Sequence, residues 1–352
     1  MRVLQLIDSL EAGGAERIAV TFANALTEHL EQSYLCTTRK EGTLKSSLQK
    51  DVAYIFLNKK KTLDINAVFR LKKFLKSEKI SIVHAHSTSY FFATLVKIVY
   101  PKITLIWHEH HGNRVQKKRK NYKALWLCSF FFTSIITVSQ SLKNWSIKNL
   151  HTKNVIYLPN FVDISNFSES HCEHKVMICV SNLRKPKNHL NLLTAFHIVH
   201  HLYPDWKLKI IGRDFEDGYA LEMKKYINEQ KLEDSVRLLG LRNDIAFQLQ
   251  EASIGVLSSD SEGLPMALLE YGASGLAVVC TNVGHCKSVI DSAGMIVPPK
   301  DSDALAAALI KYIESSSLRK RDGANFRKRV KDYFSLEHCL GKLLRIYQND
   351  TN

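Results

Sequence analysis

The feature that most limits what this chain can fold into is an alternation. Short apolar, β-rich runs are separated by amphipathic stretches over nearly the whole length. In the first half the runs occupy residues 3–7, 34–38, 53–57, 81–86, 103–107, 134–139 and 154–159; in the second, 176–181, 208–212, 236–240, 253–258, 276–280 and 295–298. Between them, apolar residues recur at helical spacing: Ile18, Phe22, Leu26 and Leu30 share one face, as do Leu192, Phe196, Val199 and Tyr203. Strands that alternate with helices pair in parallel, and runs that are apolar throughout belong to sheets covered on both faces. Two such sets predict two doubly wound α/β domains. The length agrees, because 352 residues exceed the roughly 250–300 that one hydrophobic core serves.

A polar stretch at 159–173 joins the two sets, which predicts an N-terminal domain over 1–160 and a C-terminal domain over 161–334. The tail from Leu318 is rich in Lys and Arg, then periodic at Leu336, Leu340, Leu343 and Leu344. It reads as one or two helices, with residues 335–352 crossing back to the first domain. The charge is unevenly divided. Residues 1–160 hold 25 Lys and Arg against 10 Asp and Glu, whereas residues 161–352 hold 24 of each. The whole formal charge of +15 therefore lies in the first half, which suggests an anionic partner there: a phosphorylated substrate, a nucleic acid or an acidic bilayer.

Seven cysteines without a CxxC pair fit neither a disulfide framework nor a zinc ribbon, and the start MRVLQLIDSLEAGG lacks the apolar core of a signal peptide. The cytoplasm is the expected compartment, with peripheral attachment to the inner face of the membrane as an extension. The segments 89–100 and 124–138 are apolar but shorter than the ~20 residues that span a bilayer. The second reads as a buried helix running into a core strand. Its alternative is an interfacial face in which Phe130, Phe131 and Phe132 dip into headgroups beside the basic run 117–120.

Four clusters could carry chemistry. Gly13-Gly14 opens a helix after the first strand, which suits close approach of an anion to free backbone N–H groups and equally a plain tight turn. No G-x-G-x-x-G is present, so dinucleotide redox chemistry has little support. Arg184, Lys185 and Lys187 sit in the turn after the first strand of the second domain, where open α/β sheets bind ligands. A guanidinium fork and an ammonium together suit a diphosphate. The segment 258–270 carries Glu262 and Glu270 eight residues apart around Gly263-Leu264-Pro265. A helix beginning near Leu264 would place Pro265 in its first turn and Glu270 two turns in. Finally, His108, His110 and His111 gather at the end of the fifth strand.

Taken together with IVHAH (82–86), PNFVD (159–163), NLRKPKN (182–188), LLG (238–240) and TNVG (281–284), these clusters run nearly end to end. The sequence resembles the retaining glycosyltransferases of family 4 (group 1). Their fold, GT-B, has two facing Rossmann-like, doubly wound parallel-sheet domains with an interdomain cleft. Two departures stand out: Asn182 occupies a place where an arginine is usual, and His285 and Ser288 follow TNVG where Gly and Glu are usual.

The resemblance implies a hexosyltransferase moving a sugar from a nucleotide-sugar donor, a UDP-sugar foremost, to a hydroxyl acceptor. The acceptor expected is a glycan or a lipid-linked intermediate of surface-polysaccharide assembly. Arg184 and Lys187 would neutralise the diphosphate, Glu262 would contact the transferred sugar and Glu270 the ribose. Gly240, Leu241 and Arg242 would edge the base, while Gly263, Leu264 and Pro265 would offer amides to phosphate. Gly13 and Gly14 would line the acceptor side, and His110, with His108 second, would stand close to the reacting sugar.

No metal or other cofactor is implied. Asp301-Ser302-Asp303 is a D-x-D string but directly precedes a helical pattern, where Asp and Ser act as caps. Two other readings remain in view. One is a nucleotide-sugar 2-epimerase of the same fold, which would need no acceptor. The other is a nucleic-acid module, which the charge alone suggests and no recognisable motif supports.

Overall fold

The computed structural model describes residues 1–11, 13–110, 114, 122–170 and 172–350. All thirteen expected strands are present within two residues of their expected ends. In the N-terminal half they are β1 (Arg2–Ser9), β2 (Gln32–Lys40), β3 (Val52–Phe56), β4 (Ile82–His86), β5 (Thr104–Glu109), β6 (Ser134–Thr137) and β7 (Val155–Tyr157). The C-terminal half has β8 (Val176–Val180), β9 (Lys207–Ile211), β10 (Val236–Leu238), β11 (Ile254–Leu257), β12 (Ala277–Thr281) and β13 (Met295–Val297). Each half closes on its own parallel sheet, ordered β3-β2-β1-β4-β5-β6-β7 and β10-β9-β8-β11-β12-β13.

The chain divides into two compact units. One comprises residues 1–160 with 339–352, the other residues 161–338. In both sheets the strand order reverses beside the first strand, so connections leave in opposite directions and open a crevice at the carboxyl ends, between β1 and β4 and between β8 and β11. Burial on both faces explains the unbroken apolar runs: every residue of β12 is buried, and only the ends of β8 are partly exposed. The tail from Leu318 falls in two helices, Ser316–Phe334 and Leu336–Asn349, and a further helix, Ser302–Glu314, precedes it. Asp301 caps the helix Ser302–Glu314 by accepting from Ala304 N at 2.8 Å, so the D-x-D string is a helix start.

Segment 124–138 lies mostly in the helix Lys123–Cys128 and in β6. Phe132 belongs to the core, so it is not one of three side chains free to enter a bilayer. Phe130 is exposed and stacks on His151, with ring centroids 3.4 Å apart. The run 117–120 lies outside the described residues. Among the described residues no helix is long and apolar enough to cross a membrane. All seven cysteines are free and buried.

Candidate active site

In the C-terminal unit, β8 ends under a loop held from three sides. Gly212 follows β9, and a Cβ there would overlap the Ser181 carbonyl, so glycine lets the two loops touch. Asn182 Oδ1 accepts from Arg213 N at 2.9 Å. This is the use the fold makes of asparagine where an arginine was expected. Pro186 O accepts from Asp260 N at 2.8 Å, and Lys187 O accepts from Ser258 Oγ at 3.1 Å. Asn188 turns the chain with a left-handed φ of 46°, caps the helix His189–Leu202 through Asn191 N, and donates to Asp260 Oδ1 at 2.7 Å.

This lacing carries the Lys187 ammonium across the switch point to Glu262. Its Nζ lies 2.6 Å from Oε1, which also accepts from Ser259 Oγ at 2.6 Å. The Glu262 side chain is only 7% exposed, against 29% for Lys187. Arg184, on the same loop, is exposed and lays its guanidinium over Phe215, 4.1 Å from the ring centroid. Arg213 packs on the same ring at 5.0 Å.

The segment after Glu262 differs from its expected form. Pro265 stands at the N-cap with extended ψ, so the helix starts at Met266, two residues late, and Glu270 lies little more than one turn in. Proline has no N–H to offer a phosphate, so of the three expected amide donors only Gly263 and Leu264 qualify. The helix is held off by a neighbour. Gly284, at φ +53°, packs so closely that a Cβ would overlap the Glu262 carbonyl, and His285 N donates to Gly263 O at 3.0 Å. TNVG therefore buttresses the Glu262 turn despite the residues that follow it. Tyr271, buried and seated against Gly255, fixes the helix: its hydroxyl accepts from Val180 N at 2.7 Å and donates to Val256 O at 3.2 Å.

Gly240, with φ +65°, ends the β10 region, and its carbonyl accepts from Gly212 N at 3.0 Å. Leu241 is 74% exposed, whereas the Arg242 guanidinium is committed to Asp244 by two hydrogen bonds of 2.7 and 2.6 Å. Arg184, Lys187, Glu262 and the Gly240 turn thus share the carboxyl edge of one sheet. Beneath the first of these loops, His189 Nε2 meets Ser181 Oγ at 2.8 Å, and burial pushes its pKa down to about 4.

In the N-terminal unit, Gly13 is the extended N-cap of the helix Gly14–Ala25. The Glu16 carboxylate folds back into the space that a Gly13 Cβ would fill. Alternation along β4 and β5 places His84, His86, His108 and His110 on one face, with His86 opposite His108 in register. Tyr347, on the last helix, completes a hydrogen-bonded chain. Gln5 Nε2 donates to the Tyr347 hydroxyl (3.1 Å), which donates to His84 Nδ1 (2.7 Å); Gln5 Oε1 accepts from His86 Nε2 (2.8 Å). Neutral His86 then holds its proton on Nε2, and its Nδ1 accepts from His110 Nε2 at 3.1 Å.

His108, the second candidate, is 2% exposed, and both ring nitrogens lack a hydrogen-bond partner among the described residues. It is a packed core residue, which leaves His110 at the accessible edge; His111 lies outside the described residues. Ligand atoms of His84, His86 and His108 come within 4.8 Å of one another. Their rings nonetheless lie 11° to 35° from parallel, so in-plane lone pairs do not converge on one ion.

Sequence reasoning missed Ser259, Asn188, Phe215, Gly284 and Tyr271 as supports of the site. All but Ser259, whose partner Glu262 is three residues along the same loop, act through a partner on another loop or strand, which no local spacing signals.

Two family models divide the chain. Glycosyltransferase Family 4 matches residues 12–166, and Glycosyl transferases group 1 matches residues 163–329. The chain is 26% identical to the UDP-Gal:alpha-D-GlcNAc-diphosphoundecaprenol alpha-1,3-galactosyltransferase of Escherichia coli, over 95% of this chain and 93% of that one. It is also 26% identical to a GalNAc-alpha-(1->4)-GalNAc-alpha-(1->3)-diNAcBac-PP-undecaprenol alpha-1,4-N-acetyl-D-galactosaminyltransferase of Campylobacter jejuni, over 98% of both chains. The crystal structure of Anabaena HepE in complex with UDP superposes with a TM-score of 0.84 at 17% identity, covering 99% of this chain and 100% of that one. These relatives are transferases, which weighs against the 2-epimerase reading. Two Rossmann-like sheets, paired family models and relatives along the full length lead to one conclusion: the chain belongs to the group 1, family 4 glycosyltransferases and has the GT-B fold.

Proposed function

We propose that this glycosyltransferase moves a sugar, with retention of anomeric configuration, from a UDP-sugar to a hydroxyl of a saccharide carried on a lipid diphosphate. The observation that carries the reading is the Lys187–Glu262 contact at the switch point of the C-terminal sheet, with Arg184 on the same loop. The activities of the Escherichia coli and Campylobacter relatives support the lipid-diphosphate acceptor, and the former, with UDP-bound HepE, supports the donor. The +15 charge of residues 1–160 supports an anionic acceptor and attachment at the cytoplasmic membrane face.

In this scheme Arg184 and Lys187 take the donor diphosphate. Glu262 holds the transferred sugar, Glu270 the ribose, and the backbone at Gly240 and Leu241 the base. On the N-terminal unit, His110 is assigned to the reacting sugar. The bond from the anomeric carbon to phosphate oxygen breaks first, and its electron pair leaves with UDP. The acceptor oxygen bonds to the same face of that carbon, and its proton passes to the departing phosphate. Charge grows on the diphosphate, so fixed positive groups aimed there provide most of the acceleration. No step requires a metal.

The test is a transfer assay across UDP- and GDP-sugars with a lipid-diphosphate disaccharide, the product's anomeric configuration being read by NMR. The expected result is UDP release that depends on acceptor, and an α-linked product from an α-linked donor. A sugar altered without acceptor, or an inverted product, overturns the reading.

A further inference from the structure

The N-terminal sheet has its own switch point, between β1 and β4, and a cavity of about 670 Å³ opens there. Its walls come from the carboxyl ends of four neighbouring strands: Asp8 on β1, Arg39 on β2, Lys59 after β3, and Thr88 with Tyr90 and Phe91 after β4. The volume falls within the range of small-molecule sites, and the position is where open α/β sheets bind their ligands.

The charges inside are unbalanced. The Asp8 carboxylate accepts from Thr38 Oγ1 at 2.5 Å and Thr88 Oγ1 at 2.6 Å, and it lies 3.9 Å from Arg39 Nε. Lys59 is only 6% exposed, yet no carboxylate pairs with it among the described residues; its Nζ sits over the Phe92 ring, 4.7 Å from the centroid. The local backbone turns it inward: Asn58 takes a left-handed φ of 48°, and Lys59 N donates to Thr38 O at 2.6 Å. Asp8 and Asp64 attract this ammonium only from beyond ion-pair distance, so a ligand that brings a negative charge to it would be favoured. Burial lowers its pKa, with Asp8 and Asp64 opposing and Arg39 reinforcing the shift.

The remaining groups define the rest of that ligand. A carboxylate with spare lone pairs receives sugar hydroxyls, and the half-buried rings of Tyr90 and Phe91 offer faces to the apolar side of a pyranose. We infer that this cavity binds a glycosyl phosphate, with Lys59 and Arg39 on the phosphate and Asp8, Tyr90 and Phe91 on the sugar. It would be the acceptor subsite of the transferase proposed above, and rests on that reading for the word acceptor. The phosphate can belong to a soluble glycosyl phosphate or to a lipid-linked one. Exposed Leu63, Ile65 and Phe69 stand just beyond the cavity residue Thr62, beside Lys60 and Lys61, which makes the lipid source worth a separate arm.

The experiment is calorimetric titration of the full chain, pre-saturated with UDP, using N-acetylglucosamine 1-phosphate, its neutral methyl glycoside and inorganic phosphate. The sugar phosphate should bind best, and Lys59→Met should weaken it about tenfold or more while leaving the glycoside unchanged. Lys59→Arg should keep most of the affinity. Without ligand, Lys59→Met should melt no lower than the parent, since an unpaired buried charge is gone; Arg39→Gln, at a more exposed position, repeats the test independently. Equal affinity in the Met variant, or no preference for the phosphate probes, overturns the site. Flotation with phosphatidylcholine vesicles, with and without a polyprenyl phosphate, separates the sources: Lys59-dependent flotation marks the lipid, and binding confined to the free sugar phosphate marks the soluble ligand. If Lys59 governs probe binding in a protein that transfers to no acceptor, the cavity stands and the transferase scheme falls. If transfer is intact but Lys59 is immaterial to binding, the reverse holds.

Discussion

Lys187 faces two demands that mutation can separate: it partners a nearly buried carboxylate and, in the proposed reaction, meets a departing phosphate. Lys187→Ala should cut turnover by ~10²–10³, the usual loss on removing one preorganised donor. Because Glu262 keeps Ser259 as a donor, the stability loss should be only about 1–3 kcal/mol. Steady-state kinetics beside thermal melting check both. A drop in melting temperature with near-normal turnover would make the pair purely structural. At this scale the sequence was informative about residue type and poor about company. Arg184, Lys187 and Glu262 stood out because charge clustered beside glycine and proline at a strand end. Lys59 did not: it opens a run of three lysines that reads as solvated, and only the turn at Asn58 shows which of them faces inward.

At the scale of elements, the strands were legible because a parallel sheet covered on both faces must be apolar without interruption, and that pattern is local. The start of the helix after Glu262 was not. The sequence offers proline in a first turn, but the residue before a proline disfavours helix and Gly284 presses from a segment some twenty residues away. Gly263 and Gly284 make the contrast testable. A Cβ added to Gly263 would meet nothing within 4 Å, and its φ is not positive, so Gly263→Ala should change stability by less than about 1 kcal/mol. Gly284→Ala must strain a left-handed φ and push on the Glu262 carbonyl, for about 1–3 kcal/mol and a displaced Glu262. Urea midpoints and donor KM for both variants measure the difference. Equal effects would mean that TNVG does not hold the turn.

For the whole molecule, the distribution of buried imidazoles sets how the two units respond to acid. Burial pushes His84 down to about 3, with His110 adding repulsion, and holds His86 and His108 well below the ordinary value. All three lie in the N-terminal unit, while the C-terminal unit has His189, at about 4, together with His200 and His285, which burial also lowers. Each of these groups stays neutral when folded but takes a proton near pH 6.5 once unfolded. Below that pH the unfolded chain binds more protons than the folded one, so stability falls as pH drops from about 6.5 toward 4 for His189 and toward 3 for His84. At pH 5 the loss is about 2 kcal/mol for His84 and about the same for His189; His86 and His108, wholly buried, deepen it in the N-terminal unit, while His200 and His285, less buried, add to it in the other. Acidification should therefore unfold the N-terminal unit first. Trp107, Trp126 and Trp145 report on it and Trp206 on the C-terminal unit, so fluorescence of the parent and of a variant keeping only Trp206 resolves two transitions. The expected order is the three-tryptophan signal at higher pH; coincident transitions, or Trp206 moving first, would refute the histidine account.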